Sequence, residues 1–537
     1  MAINKSTTIS FFVFFISGFL FAQENRYMVF YKDKTGTPYS ISQPQQFLST
    51  KSMDRRNGQG IAVTAQDLPV NPAYINDVKS TGAVVKYSSR WFNASLVEAT
   101  SLQKNSIETL SNVLSVEYVA PGKTGDGGRI RAHSKFDAAA ASEASQNQNS
   151  ILGLDEMHRD GLTGSGVTIA VFDTGFPGVN TNPAFADLFE NSLLRDSYNF
   201  SYGQPNVYIG HEHGTRVLSI IAANLSPTFY GGAFDADFLL YATEFAPNEF
   251  RVEEYNWLFA AERADSAGAD IISSSLGYNE FDDASMNYTI DDLDGETAVI
   301  TRAANLAFLR GMVVVNAAGN FGNETWRFIG PPADGENVIA VGSIDKNYLR
   351  SNFSSFGPTT DGRIKPDVMA IGTSAASVTP AGTVAFGNGT SYACPMITSL
   401  IAGTWQNWPD LTAVEMVALI RQAGSKYFNP DNSFGYGIPT YQAIKNIFEF
   451  PVNGITGIWV YPNPTAGELR IAVEPGSGNV VVVQVYSVLG QVMQQASYES
   501  IWNLNPFILD LATYTPGIYF VKVSTTNQIK TWRIIKK

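Results

Sequence analysis

Cysteine is almost missing: Cys394 is the single one in 537 residues, so no internal disulfide can form and stability has to come from packing. Histidine is scarce too, with four residues, which leaves few imidazoles to serve as a base or a metal ligand. Positive charge is in deficit. Thirty-six Lys and Arg face 49 Asp and Glu, a formal charge of −13, which excludes the basic footprint of a nucleic-acid binder. Long apolar runs are lacking as well. The run Ile9 to Phe21 is too short to cross a bilayer, and no other stretch reaches that length, so no membrane span is expected.

What is present describes a globular, multidomain chain: 44% hydrophobic residues, 16% charged, and a length that calls for two or three domains. Lys5, the apolar run to Phe21 and the small Ala22 before Gln23-Glu24 read as an export signal over residues 1–22. Residues 23–121 form a small α+β unit, with strands at Arg26 to Tyr31, Val84 to Tyr87, Trp91 to Val97 and Val113 to Val119. A helix runs over Leu102 to Leu110. Residues 122–150, rich in Gly, Ala and Ser, have linker composition.

From 151 to 450 short apolar runs alternate with helical segments. Val167 to Phe172, Phe238 to Ala242, Ile271-Ile272 and Met312 to Val315 read as buried strands of an α/β fold, a parallel sheet with helices on both faces. Such sheets bind ligands at the carboxyl ends of their strands. Residues 457–537 change character again. They open on Tyr461-Pro462-Asn463-Pro464, carry strands at Val480 to Tyr486 and Gly517 to Val523, and predict a small β-sandwich ending on Lys536-Lys537.

Three short motifs in the middle unit carry chemistry. A serine hydroxyl is a weak nucleophile until an imidazole takes its proton and a carboxylate orients that imidazole. Asp173-Thr174-Gly175 follows the first strand, His213-Gly214-Thr215 opens a helical segment, and Gly389-Thr390-Ser391-Tyr392-Ala393-Cys394-Pro395 precedes an apolar helix. Of the four histidines, His133 falls in the linker and His158 in a polar helix. His211 reads as a cleft-lining or surface residue, which leaves His213 as the base. A second Gly-Thr-Ser at Gly372-Thr373-Ser374 is followed by a loop pattern through Pro380 and Gly382. Ser391 is therefore the nucleophile, with its own N–H free at a helix start. Asn320, in Ala317-Ala318-Gly319-Asn320 after a strand, can donate its amide to the same oxyanion. Cys394 reads as a packed thiol.

By these motifs, in this order, residues 151–450 resemble the subtilisin-like serine proteases (subtilases). The resemblance implies a subtilisin-like sheet and a secreted serine endopeptidase acting through an acyl-enzyme. Asp173, His213 and Ser391 would form its triad, with Asn320 in the oxyanion hole. It further implies that Ser273, Ser274, Ser275, Leu276 and Gly277, together with Gly319, border an extended peptide substrate. Residues 23–121 would be a propeptide that inhibits the enzyme until a cut in 122–150. The tail is similar to the sorting domain of the type IX secretion pathway, which implies a partner in that machinery and a destination outside a Gram-negative cell or on its surface. No cofactor is required. A structural calcium at Asp282, Asp283, Asp291, Asp292 and Asp294 is possible in this family, but their spacing fits a solvated loop better. Glu212, Arg216, Tyr392 and Cys394 depart from the usual family residues. A lipase would need Gly-x-Ser-x-Gly, which is absent. A non-catalytic binding or adhesion protein on the same scaffold is the alternative, and the full set of reacting groups stands against it.

Overall fold

A computed structural model describes residues 24–122, 144–245, 247–427, 429–448, 458–473, 480–499, 507–526 and 528–537. The expected export signal and residues 123–143 of the expected linker lie outside these.

Seven strands, all parallel, form the central sheet in the spatial order Val368–Ile371, Ile339–Ile344, Val313–Ala317, Ile271–Ser274, Thr168–Asp173, Asp237–Ala242, Leu194–Asn199. The strands are buried on both sides, so alternate side chains feed two different cores. Ile169, Val171, Phe238, Leu240, Ile271, Val313 and Val315 pack with the helices His213–Ala222 and Thr390–Asn407. Ala170, Phe172, Leu239, Tyr241, Ile272 and Val314 point the other way, towards the helices Val252–Ala267 and Val299–Phe308. The connections leave Thr168–Asp173 and Ile271–Ser274 in opposite directions. The crevice where an open α/β sheet takes its ligand therefore lies between the carboxyl ends of these two strands.

The N-terminal unit is a four-stranded antiparallel sheet in the order Val84–Ser89, Ala94–Ala99, Asn25–Tyr31, Val113–Pro121. The expected helix is present as Ser101–Glu108. Two further helices, Thr50–Gly58 and Pro72–Ser80, have no counterpart in the sequence reading. The first has Met53 as its one large apolar residue and buries Ser52, Arg55 and Arg56 rather than an aliphatic stripe. Met28, Trp91, Leu96 and Val119 of this unit belong to the same apolar core as Trp257 and Phe259 of the helix beneath.

Beside that shared core sits a buried ionic cluster. Asp265, fully buried, accepts from Arg55 at 2.5 Å, Arg56 at 2.7 Å and Arg90 at 2.5 Å, all three from the N-terminal unit. Arg56 and Arg310 also reach Asp67, at 3.1 and 3.3 Å. Burial pushes the Asp265 carboxyl up, and the three guanidiniums more than reverse this, holding it below the usual carboxylate range. Nearby, Glu262 accepts from the Ser89 hydroxyl and from the N–H groups of Arg90 and Trp91.

Two local expectations are corrected. Residues 144–150 are not linker: the helix Ala144–Leu152 docks on the central unit, and the buried amide of Gln148 exchanges two hydrogen bonds with the backbone of Ala376. The stretch after Ser374 is not an open loop. Ala375–Val378 and Val384–Gly387 pair as a hairpin, and Pro380 and Gly382 lie in its turn.

The tail forms two antiparallel sheets, Ile458–Tyr461 with Glu468–Val473 and Phe507–Asp510, and Val480–Ser487 with Val492–Glu499, Gly517–Ser524 and Ile529–Lys536. Alternate residues such as Val481, Val483, Val485, Val521 and Val523 fill the space between them, the packing of a β-sandwich. Among the described residues no helix is long and apolar enough to cross a membrane.

Replacing one member of a buried ion cluster leaves the others without a counter-charge, at a cost of about 3–5 kcal/mol. Asp265→Asn in the full chain should therefore lower the urea midpoint of the transition read by Trp91 and Trp257 fluorescence. An unchanged midpoint would show that the cluster contributes nothing to the docking of the N-terminal unit.

Candidate active site

Asp173 is the last residue of a strand whose six side chains are all buried, and it sits at the mouth of the crevice. Its Oδ1 accepts from the Thr174 N–H at 2.8 Å and the Thr174 hydroxyl at 3.0 Å. The ring of His213 completes the set. Nδ1 donates to the two carboxylate oxygens at 2.9 and 3.0 Å. His213 is the first residue of its helix, and Gly214 lets that helix start approach the strand: a Cβ on Gly214 would lie 2.2 Å from the Gly175 carbonyl and 2.9 Å from the Asp173 Cβ. An imidazole whose Nδ1 hydrogen is held by a carboxylate keeps its free lone pair on Nε2. Burial pulls the pKa of His213 down, but the charge and hydrogen bond of Asp173 outweigh it, and the ring stays above the ordinary imidazole value. His211 is half-buried and receives the His213 N–H on its Nδ1 at 3.2 Å. Burial, with His213 close by, lowers its pKa.

Ser391 is the second residue of the helix Thr390–Asn407, among the first-turn donors that have no intrahelical acceptor. Pro395, which the sequence motif placed ahead of the apolar helix, lies one turn further on, in the helix interior. Proline has no N–H to give the carbonyl four residues back, which belongs to Ser391. That carbonyl instead accepts from the Ser275 hydroxyl at 3.0 Å. The Ser391 hydroxyl donates to the Ser275 carbonyl at 3.4 Å, and no hydrogen bond joins it to His213 in this structure.

Asn320 stands opposite. Its Oδ1 accepts from the Thr390 N–H at 2.8 Å and the Thr390 hydroxyl at 3.1 Å, which turns the amide NH2 towards the crevice side of Ser391. The Gly319 N–H donates to the same hydroxyl at 3.2 Å. Thr390 thus orients the amide, a role the sequence reading missed although the residue lay inside the quoted motif. Nothing local separated it from Thr373, whose neighbour Ser374 lies in a loop and donates its N–H to the Asn388 side chain.

The proposed substrate-bordering segment divides in two. Ser273 and Ser274 are paired on both sides inside the sheet, against Val171 and Phe172 and against Val315 and Asn316. Their hydroxyls are engaged by Thr398 and Trp257. They have no free edge to offer a peptide, which corrects their assignment. Ser275, Leu276 and Gly277 lie beyond the last strand pair and keep that possibility. Cys394 is buried, and burial pushes its thiol up to about 12, so it stays a protonated packing group.

The acidic loop uses its own carboxylates. Asp283 accepts from the Ser285 N–H, Asp292 from Thr289, and Asp294 from Glu296 and Thr297. Among the described residues no three His, Cys, Asp or Glu side chains converge as a metal set.

Comparison with known proteins agrees with this architecture. Residues 164–437 match the subtilase family, residues 26–135 the Bacteroidota peptidase S8 propeptide domain, and residues 459–537 a secretion system C-terminal sorting domain. Subtilisin BL and subtilisin Savinase of Lederbergia lenta are each 31% identical over 287 residues, 53% of this chain and 93% of theirs. The M-protease of Shouchella clausii is 31% identical, covering 53% of this chain and 66% of its own. Among solved structures, MycP1 with its N-terminal propeptide removed is 25% identical over 57% of this chain and 98% of that one, with a TM-score of 0.45. The chain thus belongs to the subtilase family, as a serine-type endopeptidase joined to a propeptide domain and a secretion sorting domain.

Proposed function

We propose that this endopeptidase hydrolyses peptide bonds through Asp173, His213 and Ser391. The observation that carries the reading is the position of the buried Asp173 and its partner His213 at the same sheet edge as the helix start that bears Ser391. Rotation of Ser391 about χ1, from the Ser275 carbonyl to Nε2 of His213, joins nucleophile and base; hydrogen bonds of this kind commonly form only when substrate is bound. The hydroxyl attacks the peptide carbonyl as Nε2 takes its proton. The oxyanion receives the Ser391 N–H and the Asn320 amide. His213 then returns the proton to the leaving amine, and a water that it deprotonates releases the acyl group. Asp173 orients the ring and stabilises its charged form throughout. Every step uses groups of the chain itself.

The substrate lies extended along residues 275–277, with Gly319 across the crevice, so unfolded segments and loops of other proteins are the substrates. The N-terminal unit acts as an inhibitor within the precursor, until a cut between residues 123 and 143 frees it from the catalytic unit. The tail delivers the chain to the secretion machinery, and the mature enzyme works outside the cell or at its surface.

Intact masses of the chain expressed from residue 23 test this directly. The wild type should be cut between 123 and 143 and Ser391→Ala should stay whole. Equal cutting of both would assign the cut to another protease and leave Ser391 without a role. Asn320→Ala should lower kcat about a hundred- to a thousandfold with little change in KM, the cost of one oxyanion donor. Because Asp173 raises the pKa of His213, kcat/KM should rise with pH along an acid limb centred above the ordinary imidazole value of about 6.5. A profile flat from pH 5 to 9 would rule out an imidazole base.

A further inference from the structure

The helix that starts at His213 carries an arginine one turn later. Arg216 is only 1% exposed, so its guanidinium is held inside the fold behind the reacting groups. Nε donates to the Ser377 hydroxyl at 3.0 Å, and a terminal nitrogen reaches the Ala385 carbonyl at 3.5 Å, so the side chain is anchored on both strands of the hairpin. Its guanidinium carbon lies over the ring of Tyr392, 5.4 Å from the centroid. Tyr392 directly follows Ser391, and its ring meets that of His213 edge-on at 6.3 Å. The ring fits because the facing hairpin residue is Gly387: a Cβ there would come within 2.5 Å of the tyrosine Cζ. Towards the solvent, Arg216 is 3.7 Å from the carboxylate of Glu212, which is 36% exposed.

We propose that Arg216 is a positioning residue that holds the base and the nucleophile relative to each other. The inference rests on the triad mechanism above. One planar cation bridges the first turn of the His213 helix and the residue after Ser391, a contact that a lysine point charge cannot reproduce. The charged and titratable groups around His213 are Asp173 from the sheet, His211 and Glu212 from the preceding loop, Arg216 from its own helix and Tyr392 from the Ser391 helix. Beyond Asp173 lies Glu244, whose carboxyl is pushed up by burial and then by the charges of Glu249 and Asp173. Among these, Asp173 and Glu212 favour the imidazolium, and Arg216 opposes it.

The signs give opposite expectations for two substitutions. Removing a cation makes the imidazolium easier to form, so Arg216→Gln should move the acid limb of kcat/KM to higher pH, by about half a pH unit or more. A half-unit shift lowers activity at pH 7 by up to about threefold, regained at pH 9, and the lost positioning adds a fall in kcat that pH does not restore. Removing an anion does the reverse, so Glu212→Gln should move the limb to lower pH. Arg216→Lys keeps the charge and should leave the limb near its wild-type position while kcat falls, since an ammonium cannot both lie over the ring and hold the hairpin. The measurement is the pH dependence of kcat/KM on a peptide substrate, normalised to active sites titrated with a serine-directed inhibitor.

If Arg216→Gln merely lowers the active fraction and leaves the limb in place, Arg216 is structural and the proposal falls. Should Arg216→Gln not fold, Glu212→Gln decides, because that side chain is on the surface: an unmoved limb overturns the proposal. A wild type without activity, or processing that persists in Ser391→Ala, would sink the triad mechanism itself and is distinguished before either substitution is read.

Discussion

A carboxylate placed at the end of a strand that is buried on both faces cannot rely on water, so it must be supplied with donors or lose its charge. Asp173 is in that position, and much of the site follows from satisfying it. Thr174 gives its N–H and hydroxyl, and the imidazole of His213 gives Nδ1–H. To bring the ring there, a helix must begin against the strand end, and only a residue without a side chain fits at position 214. The geometry of the Asp173–His213 pair is thus a consequence of how a buried charge is kept.

Ser391 is held by a different device. Pro395 withholds one hydrogen bond inside the Ser391 helix, and Ser275, at the end of the neighbouring strand, uses the freed carbonyl. The same residue's carbonyl holds the serine hydroxyl. Helix and strand end are thereby fastened together at the crevice between the two strands whose connections diverge. Thr390 does the equivalent for Asn320. Asp173, Ser391 and Asn320 are each held by a small hydroxyl residue, Thr174, Ser275 and Thr390, which leaves little for side-chain entropy to undo.

The N-terminal unit meets the catalytic unit through apolar packing and through three arginines on one aspartate. Burial of so many charges is a poor source of net stability but a strong specifier of register, since any shift strands a guanidinium without a partner. A docked unit of this kind is matched to its own catalytic domain. The core that it shares with Trp257 and Phe259 means that its departure exposes apolar surface on the helices Val252–Ala267 and Val299–Phe308.

The candidate site was legible because its signals are local. A strand followed by Asp-Thr-Gly, a His-Gly-Thr at a helix start and a Gly-Thr-Ser before an apolar helix each state their own context, and four histidines leave little choice of base. The buried strands were legible for the same reason, as continuous apolar runs. What failed was polar burial. The helix Thr50–Gly58 shows no apolar stripe because its partners are Asp265 and backbone carbonyls more than two hundred residues away. Ser273 and Ser274 look like open-cleft residues until both neighbouring strands are in place. Gln148 reads as linker until its partner, Ala376, is brought to it. Where the Asp, His and Ser motifs stand and which segments are apolar enough to be buried can be read along the chain, because those are properties of residues and short spacings. Which polar groups are buried, which carbonyl Pro395 leaves open and which ring Arg216 covers emerge only from the folded chain, because a buried polar group is defined by the partner that satisfies it, and that partner is distant in sequence.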